Sequence, residues 1–166
     1  MKSQTVSLRL LSLLLLVPAV ASAADVIRHK LPNSTFPIAA AVEVPAGKTL
    51  VYLSGKVPSV IDSKAANDSV AAYGNTEAQT VSVLNAIRDQ LSGLGLGLGD
   101  VIKMQVFLVG DPANSGRMDF AGFMKGYTQF FGTREQPNLP VRSAMQVAAL
   151  ANPGFLVEIE VTAVRR

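Results

Sequence analysis

In the segment "FLVEIEVTAVRR", Phe155, Val157, Ile159, Val161 and Ala163 alternate with Leu156, Glu158, Glu160, Thr162 and Val164. A period of two is that of a β-strand, whose successive side chains point to opposite faces. One face of this strand is wholly apolar and the other carries two carboxylates. A sheet built on it must bury the first face under a second layer, and its second face looks either at water or into a site.

The covering layer is legible upstream. A helix is expected from the Asn75/Thr76 cap, with Glu77 in its first turn and Val81, Leu84, Ile87 and Leu91 on one face. A second is expected from a cap near Asn114/Ser115, carrying Phe120, Phe123/Met124, Tyr127 and Phe130/Phe131 at helical spacing. Such an aromatic stripe reads as packing against a sheet. Pro137 and Pro140 end it and lead into the extended run "VRSAMQVAAL". The glycine run in "SGLGLGLGD" follows a helix and precedes a strand, the reverse of a dinucleotide loop, so it reads as a left-handed cap and connection.

Nearer the amino end, Phe36 to Val44 and "TLVYLSG" read as two strands joined by a short turn at Pro45-Ala46-Gly47. "VPSVIDSKAANDSVAAYGN" reads as a loop and "DVIKMQVFLVG" as a strand. Strands before and between two helices, with hairpin-like pairs at both ends, predict an α+β fold: one mixed six-stranded sheet with two helices on one face.

Residues 1–23 read as a signal peptide. Lys2 and Arg9 supply its basic start, "LLSLLLLVPAV" its apolar core, and Ala21-Ser22-Ala23 a small-x-small cleavage site. The apolar core is too short to span a bilayer as a retained helix. The expectation is export to the periplasm of a single domain over residues 24–166, with no membrane attachment after cleavage. Removing Lys2 and Arg9 lowers the formal net charge from +3 to +1. That balance, without a basic track, argues against nucleic acid as a partner and against ribonuclease activity.

The sequence holds no cysteine and one histidine. Thiol catalysis is therefore excluded, and His29 alone cannot build a histidine-based metal site, so neither metal nor cofactor is expected. His29 reads as a surface residue. Chemistry is left to charged side chains in the last two strands. With Val141, Ser143, Met145 and Val147 taken as the inward set, Arg142 shares the second face with Glu158 and Glu160. That face also carries Ala144, Ala148, Leu156 and Val164, apolar enough to call for a partner copy. Arg142 then either pairs with a glutamate at a subunit contact or grips a small carboxylate with its planar donor fork, beside a glutamate able to activate water.

The succession "LSGKVP", "QTVSVLNAIRDQLSGLGLGLGDVIKMQVFL", "FMKGYTQFF", "PVRS" and "VEIEVTAV" resembles the reactive intermediate deaminase family, RidA/YjgF-like, from about Thr49 to Arg166. The resemblance implies a chorismate-mutase-like α+β fold and a homotrimer with intersubunit sites. It implies hydrolysis of small enamine and imine acids to 2-oxo acids and ammonia, without cofactors. Arg142 matches the family's carboxylate-binding arginine, Glu158 the glutamate associated with the hydrolytic water, and Gly55 a backbone position lining the cleft. This chain departs from the family pattern in three places. Ala144 stands where a cysteine is common, Met124 stands where an asparagine is frequent, and "FPIAAAVEV" lacks the usual tyrosine. Those departures keep a second reading open, a noncatalytic trimer that binds small carboxylates or acts as a holdase.

Overall fold

The computed structural model describes residues 25–165, so the segment read as a signal lies outside the described residues. Two strands come first, β1 (Ile27–Lys30) and β2 (Ala39–Glu43), followed by β3 (Leu50–Lys56). Helix α1 (Thr76–Gly93) leads to β4 (Val101–Val109), and helix α2 (Phe120–Tyr127) leads to β5 (Val141–Val147) and β6 (Val157–Val164). The fold is α+β, as expected, with the six strands divided into two sheets.

The larger sheet has the order β3-β6-β4-β5, with β4 and β5 parallel and the other pairs antiparallel. The smaller is an antiparallel β1-β2 ribbon. This pairing corrects two sequence expectations: β2 joins β1 instead of forming a hairpin with β3, and β6 inserts between β3 and β4 instead of pairing with β5. Short-range turns suggested hairpins, but the alternating apolar face of β6 is buried best at the centre of the sheet. The ribbon is fastened to the body by Arg28, whose Nε donates to the Leu139 carbonyl at 3.2 Å and Nη2 to those of Gly99 and Val101 at 3.0 Å. Ala39 N–H donates to the Pro140 carbonyl at 2.9 Å, beside β5. His29, on the ribbon, is exposed and lies 2.6 Å from Glu43 Oε1.

Both helices cover one face of the larger sheet. Leu84, Ile87 and Leu91 of α1 are fully buried with Phe123 and Tyr127 of α2, over Met104, Val106, Leu108, Val157, Ile159 and Ala163. In α1 the buried stripe runs through Val83, while Val81 is only half-buried. The Asn75 side chain accepts from Ala78 N–H at 3.0 Å, and Gly95, at φ +69°, follows the helix end as the glycine run suggested. Helix α2 is shorter than its aromatic spacing implied. Its cap is Asp119, which accepts from Gly122 N–H at 2.8 Å, while Asn114 ends a 3-10 turn and Ser115 is left-handed. The two helices touch at Gly126, where a Cβ would lie 2.7 Å from that of Thr80.

The uncovered face is more polar than expected. By register it presents Tyr52 and Ser54 of β3, Lys103 and Gln105 of β4, Ser143 and Met145 of β5, and Glu158, Glu160 and Thr162 of β6. Ala144 and Leu156 instead join the helix-side core, Val164 is buried, and Ala148 lies beyond the end of β5. Its apolar members are instead Leu50 and Tyr52 of β3, Phe107 of β4 and Val141, Met145 and Val147 of β5, of which Leu50, Tyr52 and Met145 are exposed.

Candidate active site

Arg142 is the second residue of edge strand β5, opposite Met104 of β4. Met104 is fully buried under the helices, so the pleat turns Arg142 to that same side. The expectation that Arg142 shares a face with Glu158 and Glu160 is therefore corrected: Val141, Ser143 and Met145 face outward and Arg142 faces α2. The β5 sequence misled because its apolar set is not its core set. An edge strand buries few neighbours, so its alternation carries little information about direction.

What receives Arg142 is an aromatic box. Its guanidinium carbon lies 4.3 Å from the ring centre of Tyr127, 4.9 Å from Phe123, 5.4 Å from Phe36 and 5.9 Å from Phe120. Nη2 donates to Met124 Sδ at 3.3 Å. Nη1 is buried and has no hydrogen-bond partner, and among the described residues no carboxylate pairs with this arginine. Each face-on ring contributes about 0.5–2 kcal/mol to holding the cation. Ring faces supply no hydrogen-bond acceptor; the Tyr127 hydroxyl interacts with the guanidinium but meets no geometric hydrogen bond to Nη1, and an unmet buried donor costs about 1–3 kcal/mol. Burial lowers the Arg142 pKa from the ordinary arginine value, with neighbouring Tyr127 opposing the shift. Burial also pushes the Tyr127 phenol up to about 12, against the pull of Arg142, and its hydroxyl donates to the Pro37 carbonyl at 2.9 Å. The box is thus a desolvated cation with an open donor, the arrangement that a carboxylate completes.

Glu158 stands on the other side of the sheet, opposite Phe107 of β4. Its carboxylate lies over Gly55: a Cβ there would collide with Glu158 Oε1, so the glycine is required by close approach. A register shift between Leu53 and Lys56 brings the Gly55 backbone to this position. Glu160, opposite Gln105, lines a separate shallow cavity with Tyr52, Ser54, Lys103 and Thr162. One chain therefore brings Glu158 and Gly55 together at the β3 side and holds Arg142 at the β5 edge.

The walls of the box are not legible as such in the sequence. Phe120, Phe123 and Tyr127 have the spacing of core packing, which they also serve through ring contacts of 5.9 and 5.7 Å. Met124 and Phe36 were legible only as departures near the expected polar positions, and both touch the arginine.

A two-helix, mixed-sheet chain with an arginine at one sheet edge and a glutamate over glycine towards the other is a chorismate-mutase-like α+β protein. The family model described as Endoribonuclease L-PSP matches residues 32–165, and the chain belongs to this family, the RidA/YjgF proteins. It is 34% identical over 131 residues to the 3-aminoacrylate deaminase RutC of Acinetobacter baylyi, covering 78% of this chain and 90% of that protein. It is 32% identical over 117 residues to the putative reactive intermediate deaminase TdcF of Escherichia coli K12, covering 70% of this chain and 80% of that one. The crystal structure of E. coli TdcF with bound serine aligns with a TM-score of 0.55 at 31% identity, covering 74% of this chain and 85% of the other.

Proposed function

We propose that this chain is a hydrolytic deaminase that converts small enamine and imine acids to 2-oxo acids and ammonia. The observation that carries the reading is the buried, unpartnered Nη1 of Arg142, a donor prepared for a carboxylate that its own chain does not supply. Membership in a family containing proteins named as deaminases supports it.

In this reading Arg142 holds the substrate carboxylate and Glu158 takes a proton from water as its oxygen adds to the imine carbon. With the imine nitrogen protonated, the C=N electron pair moves to nitrogen and gives a neutral carbinolamine. Glu158 then passes its proton to the amine nitrogen, the carboxylate takes the hydroxyl proton as the C–N bond breaks, and that proton leaves with the released ammonia as ammonium, leaving the 2-oxo acid. Positioning and proton transfer of this kind contribute about 10² to 10⁴-fold.

Arg142 and Glu158 lie on opposite faces of one sheet, so a complete site requires a second copy. Strands β3 and β5 are the two edges of the larger sheet, and a head-to-tail contact of one copy's β5 edge with the next copy's β3 edge would draw the Arg142 edge of one copy toward the Glu158 and Gly55 side of the next. We infer a closed homotrimer with three such intersubunit sites. No helix among the described residues is long and apolar enough to cross a membrane, and the amino-terminal pattern supports export after cleavage near Ala24. Intact mass spectrometry of the exported protein checks the cleavage.

The deciding experiment measures ammonia and 2-oxo acid release from freshly generated imino acids. Acceleration over buffer that disappears in Glu158→Gln supports the deaminase. Binding of 2-oxo acids without acceleration makes the chain a small-carboxylate-binding protein instead.

A further inference from the structure

Glu158 stands at the start of β6, where the sheet supports it mainly from one side. Pairing of β6 with β3 ends at Ile159 and Lys56, so the strand neighbour of the glutamate is Phe107 of β4. The backbone that leads into it is held from another direction, by Gln79 near the start of α1. That side chain is fully buried. Its Oε1 accepts from Leu156 N–H at 2.7 Å, and its Nε2 donates to the carbonyls of Gly154 and Gly74, each at 2.9 Å. Both amide protons and the amide oxygen are thereby used. Leu156 lies two residues before Glu158, and its carbonyl accepts from Val109 N–H at 3.0 Å, at the end of β4.

The bond to Gly74 closes the loop that leaves β3 after Lys56, and Ser82 of the same helix accepts from Ser59 N–H at 3.0 Å near the loop's beginning. Loop and connection also touch each other. A Cβ on Gly154 would lie 2.5 Å from the Ser69 carbonyl oxygen, and the Tyr73 and Phe155 rings meet edge-on at 4.8 Å. The chain leaving Gly55 and the chain arriving at Glu158 are therefore fixed to one helix, and Gln79 bonds to both. We propose that Gln79 is a positioning residue: it sets the start of β6, and through it the place of the Glu158 carboxylate over Gly55, without touching substrate or Arg142. The inference rests on the deaminase reading for the role of Glu158 but not for the anchoring. Without the amide, buried backbone groups at residues 154 and 156 lose their partners and the connection must shift to satisfy them.

The test is a double-mutant cycle on imine hydrolysis, with pyruvate binding by calorimetry and hydrogen exchange by mass spectrometry in parallel. A base displaced by about 1 Å can cost about 10²-fold in rate. Gln79→Met, which keeps the volume and loses the hydrogen bonds, should lower kcat by about tenfold or more and leave pyruvate affinity within about twofold. In Glu158→Gln protein the same substitution should cost less than about twofold further, because it acts through a carboxylate already removed. Backbone amides of residues 155–160 should exchange about tenfold faster while those of 141–147 are unmoved. Gln79→Glu keeps the shape and the acceptor for Leu156, so it should show the same pattern with a smaller loss, and it is read in the same cycle if Gln79→Met does not melt cooperatively. Losses that multiply in the double variant, pyruvate affinity that falls with kcat, or unchanged exchange at 155–160 overturn the proposal. Faster exchange there in a protein whose wild type hydrolyses no imine removes the deaminase reading and leaves Gln79 as the anchor of the Glu158 segment.

Discussion

The surroundings of Arg142 and of Glu158 are built by opposite means. Around the arginine the chain has added matter: four aromatic rings and a thioether exclude water from a cation and leave one donor unmet. Around the glutamate it has removed matter, since the carboxylate fits only because position 55 has no side chain. On the proposed reading, the first arrangement gains affinity by desolvating a charge, and the second gives a half-buried base freedom to meet water, so that binding and proton transfer would fall to separate parts of the chain.

The largest expected effect comes from emptying the box. Arg142→Ala should reduce kcat/KM by about 10³ and abolish 2-oxo acid binding, because the cation and its charge-assisted hydrogen bonding to the carboxylate are lost together. Arg142→Lys should recover little of either, since an ammonium cannot reproduce the planar fork. Calorimetry with steady-state kinetics distinguishes these outcomes, and a Lys variant near wild type would show that charge alone suffices.

The glutamate end should separate chemistry from binding. Glu158→Gln is expected to lower kcat by about 10² with 2-oxo acid affinity unchanged. Gly55→Ala should act through the same carboxylate by displacing it, with a smaller loss of about tenfold. Glu160→Gln, whose side chain lies in a different cavity, should change turnover by less than about twofold. If Glu158 and Glu160 variants behave alike, the separation between the two ends is not functional.

A weaker effect concerns pH. Tyr127 titrates near 12 in the folded chain, above the ordinary phenol value of 10.0. A raised acid pKa means that its contribution to stability is whole below about pH 10 and is lost as pH rises through about 12. Ultraviolet titration should show one of the three tyrosines ionising last, near pH 12, and Tyr127→Phe should remove that transition. Light scattering supplies the remaining check: a homotrimer at micromolar concentration is expected, and a monomer would leave Arg142 without a facing Glu158.

The layers of this fold could be read from periodicity, but the strand partners could not. Glu158 and Glu160 were placed correctly opposite the apolar face of β6, because strict alternation survives in a central strand. Arg142 was placed on the wrong face because the more apolar half of β5 looks outward, and only its register with Met104 reveals this. The ribbon was missed because β1 is four residues long and its pairing is set by distant anchors, Arg28 on Leu139, Gly99 and Val101. The aromatic box was visible as a stripe, yet nothing local says that a stripe encloses an arginine from a strand made later.

The central position of β6 also governs when the molecule becomes a molecule. Leu50 pairs with Val164, so β3 has no neighbour in the larger sheet until residues 157–164 are available, whereas β4 can meet β5 sooner. Contacts so far apart in sequence form slowly, and before β6 is made the chain can hold only the β1-β2 ribbon and the β4-β5 pair. The two halves of the larger sheet, β3 on one side and β4-β5 on the other, are thus joined only through β6.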